Sequence, residues 1–217
     1  MRVRLLIAGG ALAVALAFVG WRIGSRYSSD TFSETKAITP EAMPLCPWRQ
    51  PEVELKVFFP DATGYRAETR ILSGLRLELA ERLGRTPTGD ENALRLYRVY
   101  REDAPIGTVL TRRAKGTYGA IELVLATDTN RTVRAMRLQR LREPESIAGV
   151  LQDARWQNSF IGKTWQDVCQ VGRDITSVPP EAMNSAQAVS DGIRSLLILL
   201  STSEQTPSPR LADAHHH

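Results

Sequence analysis

The fold is decided by residues 94–141, LRLYRVYREDAPIGTVLTRRAKGTYGAIELVLATDTNRTVRAMRLQRL. Four of its segments show strand-like alternation of apolar and polar residues: LRLYRVYR (94–101), PIGTVLTR (105–112), AIELVLAT (120–127) and RTVRAMRLQRL (131–141). Short connections such as Glu102-Asp103-Ala104 allow neighbouring strands to pair as hairpins. In the last segment Val133 and Ala135 share one parity whereas Met136 and Leu138 share the other, which indicates a bulge or a strand covered on both faces. The sequence therefore predicts an antiparallel β meander.

Helical patterns flank the meander on both sides. Residues 53–60, VELKVFFP, predict a short strand or a hydrophobic lead-in, and the helix that follows has its apolar positions at Leu72, Leu75, Leu79 and Leu83. We expect Ser73 to cap this helix and Gly84 to end it. After Pro144 the core candidates are Trp156, Phe160 and Trp165, and a final helix spans residues 185–200. The predicted fold class is α+β, an antiparallel meander packed with helices.

Four regions divide the chain: an N-terminal transmembrane anchor (1–26), a proline-rich extended stalk (27–52), the α+β domain (53–202) and a disordered tail (203–217). The anchor prediction rests on residues 5–21, an unbroken run of seventeen apolar or glycine residues that ends on Trp21. A cleaved signal peptide, with Ala15-Leu16-Ala17 as its cleavage site, is the alternative. An uncleaved anchor implies a single-pass protein of a bacterial inner membrane with its domain in the periplasm.

The scarce residue types exclude most self-contained chemistry. Every histidine stands at the C-terminus, from His215 to His217, where a frayed tail or the remainder of an affinity tag is a simpler explanation than a metal site. No interior histidine can serve as a general base, and two cysteines cannot build a zinc finger or an iron–sulfur cluster. Cys46 and Cys169 could form one disulfide in an oxidising compartment or remain two buried thiols. We predict no catalytic residue and no metal site, and the mixing of acids with arginines argues against nucleic-acid binding.

Several short pieces occur in an order that is typical of a known family. They are Phe59-Pro60-Asp61-Ala62, Gly116-Thr117-Tyr118-Gly119-Ala120-Ile121, Asp128-Thr129-Asn130, Arg142-Glu143-Pro144, Phe160-Ile161-Gly162-Lys163, Gly172-Arg173-Asp174-Ile175 and Asp191-Gly192-Ile193-Arg194. With them, residues 57–200 resemble the periplasmic FMN-binding domain of membrane-anchored flavoprotein subunits in Rnf and sodium-pumping NADH:quinone oxidoreductase complexes. The resemblance implies an FMN-binding-domain-like fold and a place beside an integral-membrane electron-transfer complex, respiratory or photosynthetic.

The flavin-attachment segment of that family is altered in this chain. In the family a D-x-x-S-G-A-T-x-[ST] segment carries FMN on its threonine hydroxyl through a phosphoester bond. Here residues 174–185 read DITSVPPEAMNS, and the threonine position falls on Ala182 or Met183. Neither side chain has a hydroxyl, Pro179-Pro180 removes two backbone donors, and Glu181 adds a negative charge beside the phosphate position. The resemblance therefore implies a degenerate attachment position and no covalently bound FMN.

Three functions are compatible with these observations. We expect a membrane-anchored, non-catalytic accessory subunit without a cofactor, bound to subunits of an integral-membrane complex and to the lipid bilayer. Its contact surfaces would be the anchor, the stalk around Cys46-Pro47-Trp48 and the apolar end of the final helix. The alternative is a periplasmic electron carrier that holds FMN non-covalently, with its phosphate and ring contacts drawn from Lys115, Arg142, Arg173, Tyr118 and Trp165. The third is an extracytoplasmic enzyme that uses the carboxylates of Glu122 and Glu143.

Overall fold

The computed structural model describes residues 35–37 and 52–205. Six strands lie in these residues: β1 (Thr35–Ala37), β2 (Gly64–Ile71), β3 (Ala93–Arg101), β4 (Ala104–Lys115), β5 (Ala120–Thr127) and β6 (Val133–Leu141). They form one antiparallel sheet in the order β1-β2-β3-β4-β5-β6, so every strand pairs with its neighbours in sequence. The predicted antiparallel meander is confirmed, and β1 and β2 extend it.

The same residues contain five α-helices: α1 (Glu52–Phe58), α2 (Arg76–Leu83), α3 (Glu145–Gln152), α4 (Ala154–Asn158) and α5 (Met183–Gln205). Short 3₁₀ turns occur at Ser73–Leu75, Gly89–Asn92 and Pro180–Ala182. The predicted α+β class is therefore confirmed. Across residues 35–37 and 52–205, none of the helices has both the length and the apolar character needed to cross a bilayer. The predicted anchor lies outside the described residues, as do Cys46 and the three histidines.

Helices cover both faces of the sheet. On the first face α2, α3, α4 and α5 enclose the larger core, to which β5 contributes Ile121, Leu123 and Leu125. On the second face α1 packs over a smaller core, to which the same strand contributes Val124 and Ala126. Because β5 is buried on both sides, its sequence is almost continuously apolar.

The segment at residues 53–60 is a helix, so the predicted short strand was wrong. Leu55, Phe58 and Phe59 belong to the smaller core, and their spacing of three and four residues is the helical one. Val53 and Val57 are 50% and 56% exposed. Because they are apolar although they do not face the core, the segment has the continuous apolar composition that is typical of a strand.

Strand β2 and the start of α2 also differ from the sequence prediction. Strand β2 was not predicted, although its charged Arg66, Glu68 and Arg70 alternate with uncharged residues as in a strand with one exposed face. The helix predicted from Ser73 begins at Arg76, after a 3₁₀ turn, and Ser73 makes no capping hydrogen bond. The predicted stop at Gly84 is confirmed, since this residue has a φ of 71° and its N–H binds the carbonyl of Glu81.

Strand β6 contains the bulges that its sequence indicated. Its register against β5 shifts twice, between Glu122 and Leu123 and between Ala126 and Thr127. The shifts bring Val133 and Met136, which have opposite parity in sequence, to the same core.

Helix α5 is longer than predicted, and its apolar end is not a surface. Residues 196–200 are all at most 2% exposed, so the expected contact surface at this end was wrong and core packing is its role. The helix continues through Gln205, so the first three residues of the predicted tail are helical. Ser203 is buried, and Glu204 forms an ion pair of 2.7 Å with Arg98. Within the predicted stalk, residues 35–37 form β1 and pair with residues 64–66.

Candidate functional site

The turn between β4 and β5 contacts the start of α5, next to the segment that the sequence analysis aligned with the flavin-attachment segment. The N–H of Gly116 binds the carbonyl of Gly119 at 2.8 Å and closes the turn. The N–H of Thr117 binds Ser185 Oγ, in the first turns of α5, at 2.9 Å, and the N–H of Tyr118 lies 3.3 Å from Glu143 Oε1. We call the turn, Arg142-Glu143 and Ser185 together the turn corner.

Glu143 fits into the turn because of a glycine. A methyl group on Gly116 would overlap Glu143 Oε1, so only glycine allows the carboxylate to approach the turn. Gly119 lies equally close to the backbone after β6, since a methyl group there would be 2.9 Å from the carbonyl oxygen of Arg142. A carboxylate of the chain itself therefore occupies the backbone donor that an incoming anion would use.

Ser185 joins the turn to α5. Its side chain is fully buried, and its hydroxyl donates to Thr117 Oγ1 at 3.0 Å while accepting the backbone N–H of the same residue. The hydroxyl is thereby engaged both as a donor and as an acceptor. Sequence reasoning assigned it no role, although its alignment with the last hydroxyl position of the family segment could have drawn attention to it.

The two candidate attachment positions lie on the inner side of the corner. Ala182 is 0% exposed, belongs to the larger core and donates its N–H to the carbonyl of Pro179 at 3.0 Å. Met183 is half-buried and packs against the same core. A phosphoester needs a hydroxyl that faces solvent, and neither position supplies one.

The loop before these positions is held by Asp174. Its carboxylate accepts the backbone N–H groups of Cys169 and Gln170, both at 2.8 Å, and Lys163 Nζ lies 4.0 Å away. Partial burial raises the pKa of Asp174, but the two backbone hydrogen bonds and Lys163 outweigh this effect, so its pKa is lowered. Asp174 therefore stabilises this loop by binding the backbone of residues 169 and 170.

Cys169 is buried in the larger core at a backbone φ of 55°. Burial, together with the nearby carboxylates of Asp174 and Asp167, raises the pKa of the Cys169 thiol to about 12. The thiol is therefore un-ionised and unreactive at neutral pH. Because Cys46 lies outside the described residues, the disulfide between the two cysteines stays a prediction.

The structure brings together only some of the residues named for non-covalent flavin binding. Lys115 ends β4, Arg142 follows β6, and Tyr118, 68% exposed, lies in the turn between β4 and β5. Arg173 is exposed in the loop before α5. Trp165 lies under the guanidinium of Arg82, whose Cζ is 4.9 Å from the ring centroid, so its face is already covered on that side.

The carboxylates considered for catalysis each have a structural partner. Glu122 is buried on the second face of the sheet and pairs with Arg113 at 3.1 Å, whereas Glu143 binds the turn. Among the described residues no group of three histidine, cysteine or acidic side chains could hold a metal ion. Since each carboxylate is engaged separately, the two do not form an acid–base pair.

A buried carboxylate that sequence reasoning missed is Glu91, at 0% exposure. It accepts hydrogen bonds from Arg85, from Arg112 at 2.9 Å and from Ser195 Oγ at 2.6 Å, and the N–H of Thr88 completes its shell at 2.8 Å. Burial raises the pKa of Glu91, but these hydrogen bonds and the two guanidinium charges lower it far more. The spacing Thr88-x-x-Glu91 of a capping box was the available signal. Because both of its oxygens accept hydrogen bonds, Glu91 links the 3₁₀ turn before β3 to β4, through Arg112, and to α5, through Ser195.

A shallow depression of about 300 Å³ lies beside α5. It is lined by Val168, Gln170, Gln187, Asp191 and Arg194. Gln187 Nε2 donates to Asp191 Oδ1 at 2.8 Å, so two of its polar groups already satisfy each other. Its volume is at the lower limit of ligand sites, and it does not include the turn corner.

Comparisons with known proteins find partial likeness among solved structures. No protein-family model matches the chain, and no curated protein matches it. Six chains of solved structures match it. One of them, described as the crystal structure of Shewanella oneidensis NqrC, is 15% identical, covers 56% of this chain and 69% of that chain, and has a TM-score of 0.43. At this identity and score the likeness says nothing about the chemistry of this chain, and the family resemblance stays a prediction.

Proposed function

We propose that this protein is a membrane-anchored, non-catalytic accessory subunit of a membrane electron-transfer complex and that it holds no flavin. The apolar run at residues 5–21 supports the anchor. The family resemblance supports the complex, which would be respiratory or photosynthetic. Together these features favour a bacterial inner-membrane protein with its α+β domain in the periplasm.

One observation carries the absence of flavin. The attachment position is a fully buried alanine or its neighbour Met183, and the turn donors beside it are bonded to Glu143 and Ser185. A phosphate placed there would meet a carboxylate, and it would have to replace hydrogen bonds that the chain already makes. The residues present therefore do not fit a covalently attached FMN, and no electron-transfer step is assigned to this chain.

A second candidate is a periplasmic carrier that holds FMN non-covalently. The grouping of Lys115, Tyr118 and Arg142 around one turn favours it, because two cations and an exposed ring are the side chains that such a ligand uses. The carboxylate of Glu143 at the same turn opposes it.

The test is an absorbance spectrum of the full chain purified in mild detergent, read together with its intact mass. We expect no absorbance near 450 nm, the unmodified mass and stoichiometric co-purification with integral-membrane subunits. Flavin released into the supernatant on denaturation would establish the second candidate instead, and a mass increase equal to FMN would contradict both. Purification without any membrane partner would remove the accessory role.

A further inference from the structure

The second face of the sheet carries a cluster of basic side chains that the linear sequence conceals. In the register, Glu122 stands opposite Arg113 on one side and Arg140 on the other, and Val124 stands opposite Arg137. Directly opposed residues share a face, so Arg113, Arg137 and Arg140 lie on the face that contains Val124.

Two further cations extend this cluster along β3 and β4. Arg95 lies two residues before Tyr97 of the smaller core, and its Cζ is 5.4 Å from the ring centroid of that tyrosine. Lys115 lies two residues beyond Arg113 on β4 and therefore points to the same face. We call Arg95, Arg113, Lys115, Arg137 and Arg140 the arginine face.

The spacing of arginines in β6 explains how the cluster arises. Arg134, Arg137 and Arg140 recur every three residues, a spacing that would place them on alternate faces of a regular strand. The two register shifts of β6 add one residue each, and they return all three to the second face. Arg134 lies over the ring of Phe59 at 5.0 Å, at the border with the part that α1 covers.

The arginine face has an unbalanced charge. On the second face of β3 to β6, one acid lies among these five cations. It is Glu122, which is buried and paired with Arg113. Within the described residues, none of the other four cations forms an ion pair, and all four are exposed. The excess of four positive charges equals the formal net charge of +4 of the entire chain, so acids and bases elsewhere nearly cancel. Such segregation raises the local potential toward anions.

We propose that the arginine face is the docking surface for a carboxylate-rich surface of a partner protein. This inference rests on the proposed accessory role and names the surface through which that role is exercised. Four of the five cations are arginines, whose planar guanidinium binds carboxylates with two hydrogen bonds and is enriched at protein interfaces, where lysine is depleted.

The apolar composition of the face favours a protein over a membrane or a nucleic acid. The aromatic rings of this face, Tyr65 and Tyr97, are buried at 5% and 2% exposure. An amphipathic lipid-binding face buries a stripe of apolar side chains in the headgroup region, and single-stranded nucleic acids stack on several exposed rings. Here the exposed apolar side chains lie at the borders of the face, Ile71 on β2 and Tyr118 in the turn after Lys115, and arginines beside a tyrosine are typical of protein interfaces.

The size of the face indicates one part of a larger contact. The face is about 14 Å wide across four strands and about 13 Å long over three successive same-face positions, or roughly 180 Å², which is well below the roughly 800 Å² that each partner contributes to a standard interface. A charged contact of this size is weak alone and suits a protein that the proposed anchor already holds beside its partner.

The test is photo-cross-linking in cells that produce the full chain. A benzophenone amino acid replaces Arg137 in one variant and Arg140 in a second, in case the first does not fold, and Leu77, 90% exposed on α2, carries the probe in the control. We expect a protein adduct from the arginine face whose cross-linked peptide, located by mass spectrometry, contains several aspartates or glutamates. The yield should fall about fivefold or more in about 0.5 M salt, where charges a few ångströms apart are screened.

Charge reversal provides the matched comparison. Arg95→Glu with Lys115→Glu should lower the yield by a similar factor, whereas Arg155→Glu with Arg173→Glu changes the net charge equally and should leave the yield within about twofold. Adducts with phospholipid, nucleic acid, a second copy of this chain or a protein segment without acids would overturn the proposal. So would a yield no higher than at the control position, or one insensitive to salt.

The same experiment separates this inference from the proposed function. If the purified protein contains flavin but the cross-links reach an acidic protein segment, the accessory role fails and the docking surface stands. If the protein is colourless and co-purifies with membrane subunits but the face gives no such adduct, the docking surface fails and the accessory role stands.

Discussion

Replacement of Glu91 by glutamine should destabilise the domain strongly, because it leaves two guanidinium groups without their shared carboxylate. Arg112 is the more affected, since its side chain is only 19% exposed, whereas Arg85 is 46% exposed and can be rehydrated. Removal of one partner from a buried ion pair typically costs about 3–5 kcal/mol, and the exposure of Arg85 favours the lower end, about 3 kcal/mol. For a domain of this size, that loss corresponds to a fall in Tm of roughly 6–12 °C.

The difference between the wild type and Glu91→Gln should also depend on pH. The pKa of Glu91 is lowered in the folded state from its ordinary value of 4.5, so the unfolded chain binds a proton first as the pH falls. The stabilisation by the carboxylate is therefore complete above pH 4.5 and is lost progressively below it, by about 1.4 kcal/mol per pH unit. Since glutamine does not titrate, the two proteins should approach each other in stability as the solution is acidified.

Urea unfolding followed by circular dichroism, at a series of pH values from about 7 to 3, measures both effects. Glu81→Gln, at an exposed position of α2, removes the same charge and should change the free energy of unfolding by less than about 0.5 kcal/mol. A Glu91→Gln protein as stable as this control would show that the hydrogen-bonded shell does not stabilise the fold. A difference that stays constant or grows on acidification would contradict the lowered pKa.

Three further changes test the turn corner and its surroundings. Gly116→Ala should lower stability by about 1–3 kcal/mol because its methyl group meets Glu143 Oε1 and the buried Ile121 Cδ1, and Glu143→Ala in the same chain should recover only the part due to Glu143. Ala182→Thr restores a hydroxyl at a fully buried position, so we expect a similar loss of stability and no flavin absorbance in protein from cells that make FMN. With a pKa of about 12, Cys169 should resist iodoacetamide at about pH 8 in the reduced folded protein and react fully after unfolding, as measured by peptide mass spectrometry.

For each of these three expectations one result would contradict it. Gly149 lies in α3, where a methyl group added to its Cα would have nothing within 4 Å, so Gly149→Ala should be neutral or stabilising. A Gly116→Ala protein that behaves the same way would disprove the close contact. A yellow Ala182→Thr protein would mean that one hydroxyl is enough to restore the site. Alkylation of Cys169 at equal rates before and after unfolding would show that the core around it opens freely.

Local sequence signals predicted the elements whose faces are simple. Two examples are the alternation of Ile121, Leu123 and Leu125, which marks the core face of β5, and the glycine after α2, whose positive φ ends the helix. Both signals lie within a few residues of the element that they predict. Helix α1 was missed because Val53 and Val57 are apolar but exposed. They fill the helical pattern of buried positions with further apolar residues, so that the segment resembles a strand. Strand β2 was missed although its charged residues alternate with uncharged ones, which is a strand-like pattern. Only the fold shows that these charged side chains have partners distant in sequence, as Arg70 has at the carbonyl of Ser203.

The arginine face could not be predicted from spacing alone. In sequence its cations are mixed with acids such as Glu102 and Glu122, and this mixing argued against any concentrated charge. Segregation depends on the register of four strands and on two bulges, which no local pattern specifies. Residues three apart reach one face only after the bulges are placed, so the charge pattern is a property of the sheet.

At the turn corner, several residues besides the attachment position differ from what a phosphate site needs. A site that merely lacked the attachment threonine would leave the turn donors to solvent or to an anion. Here Glu143 takes the N–H of Tyr118 and Ser185 takes that of Thr117, so the corner keeps its shape without a ligand. Glycine at position 116 is required for that arrangement and would otherwise only lower stability. Restoring flavin binding should therefore require removal of the Glu143 carboxylate as well as a hydroxyl at position 182.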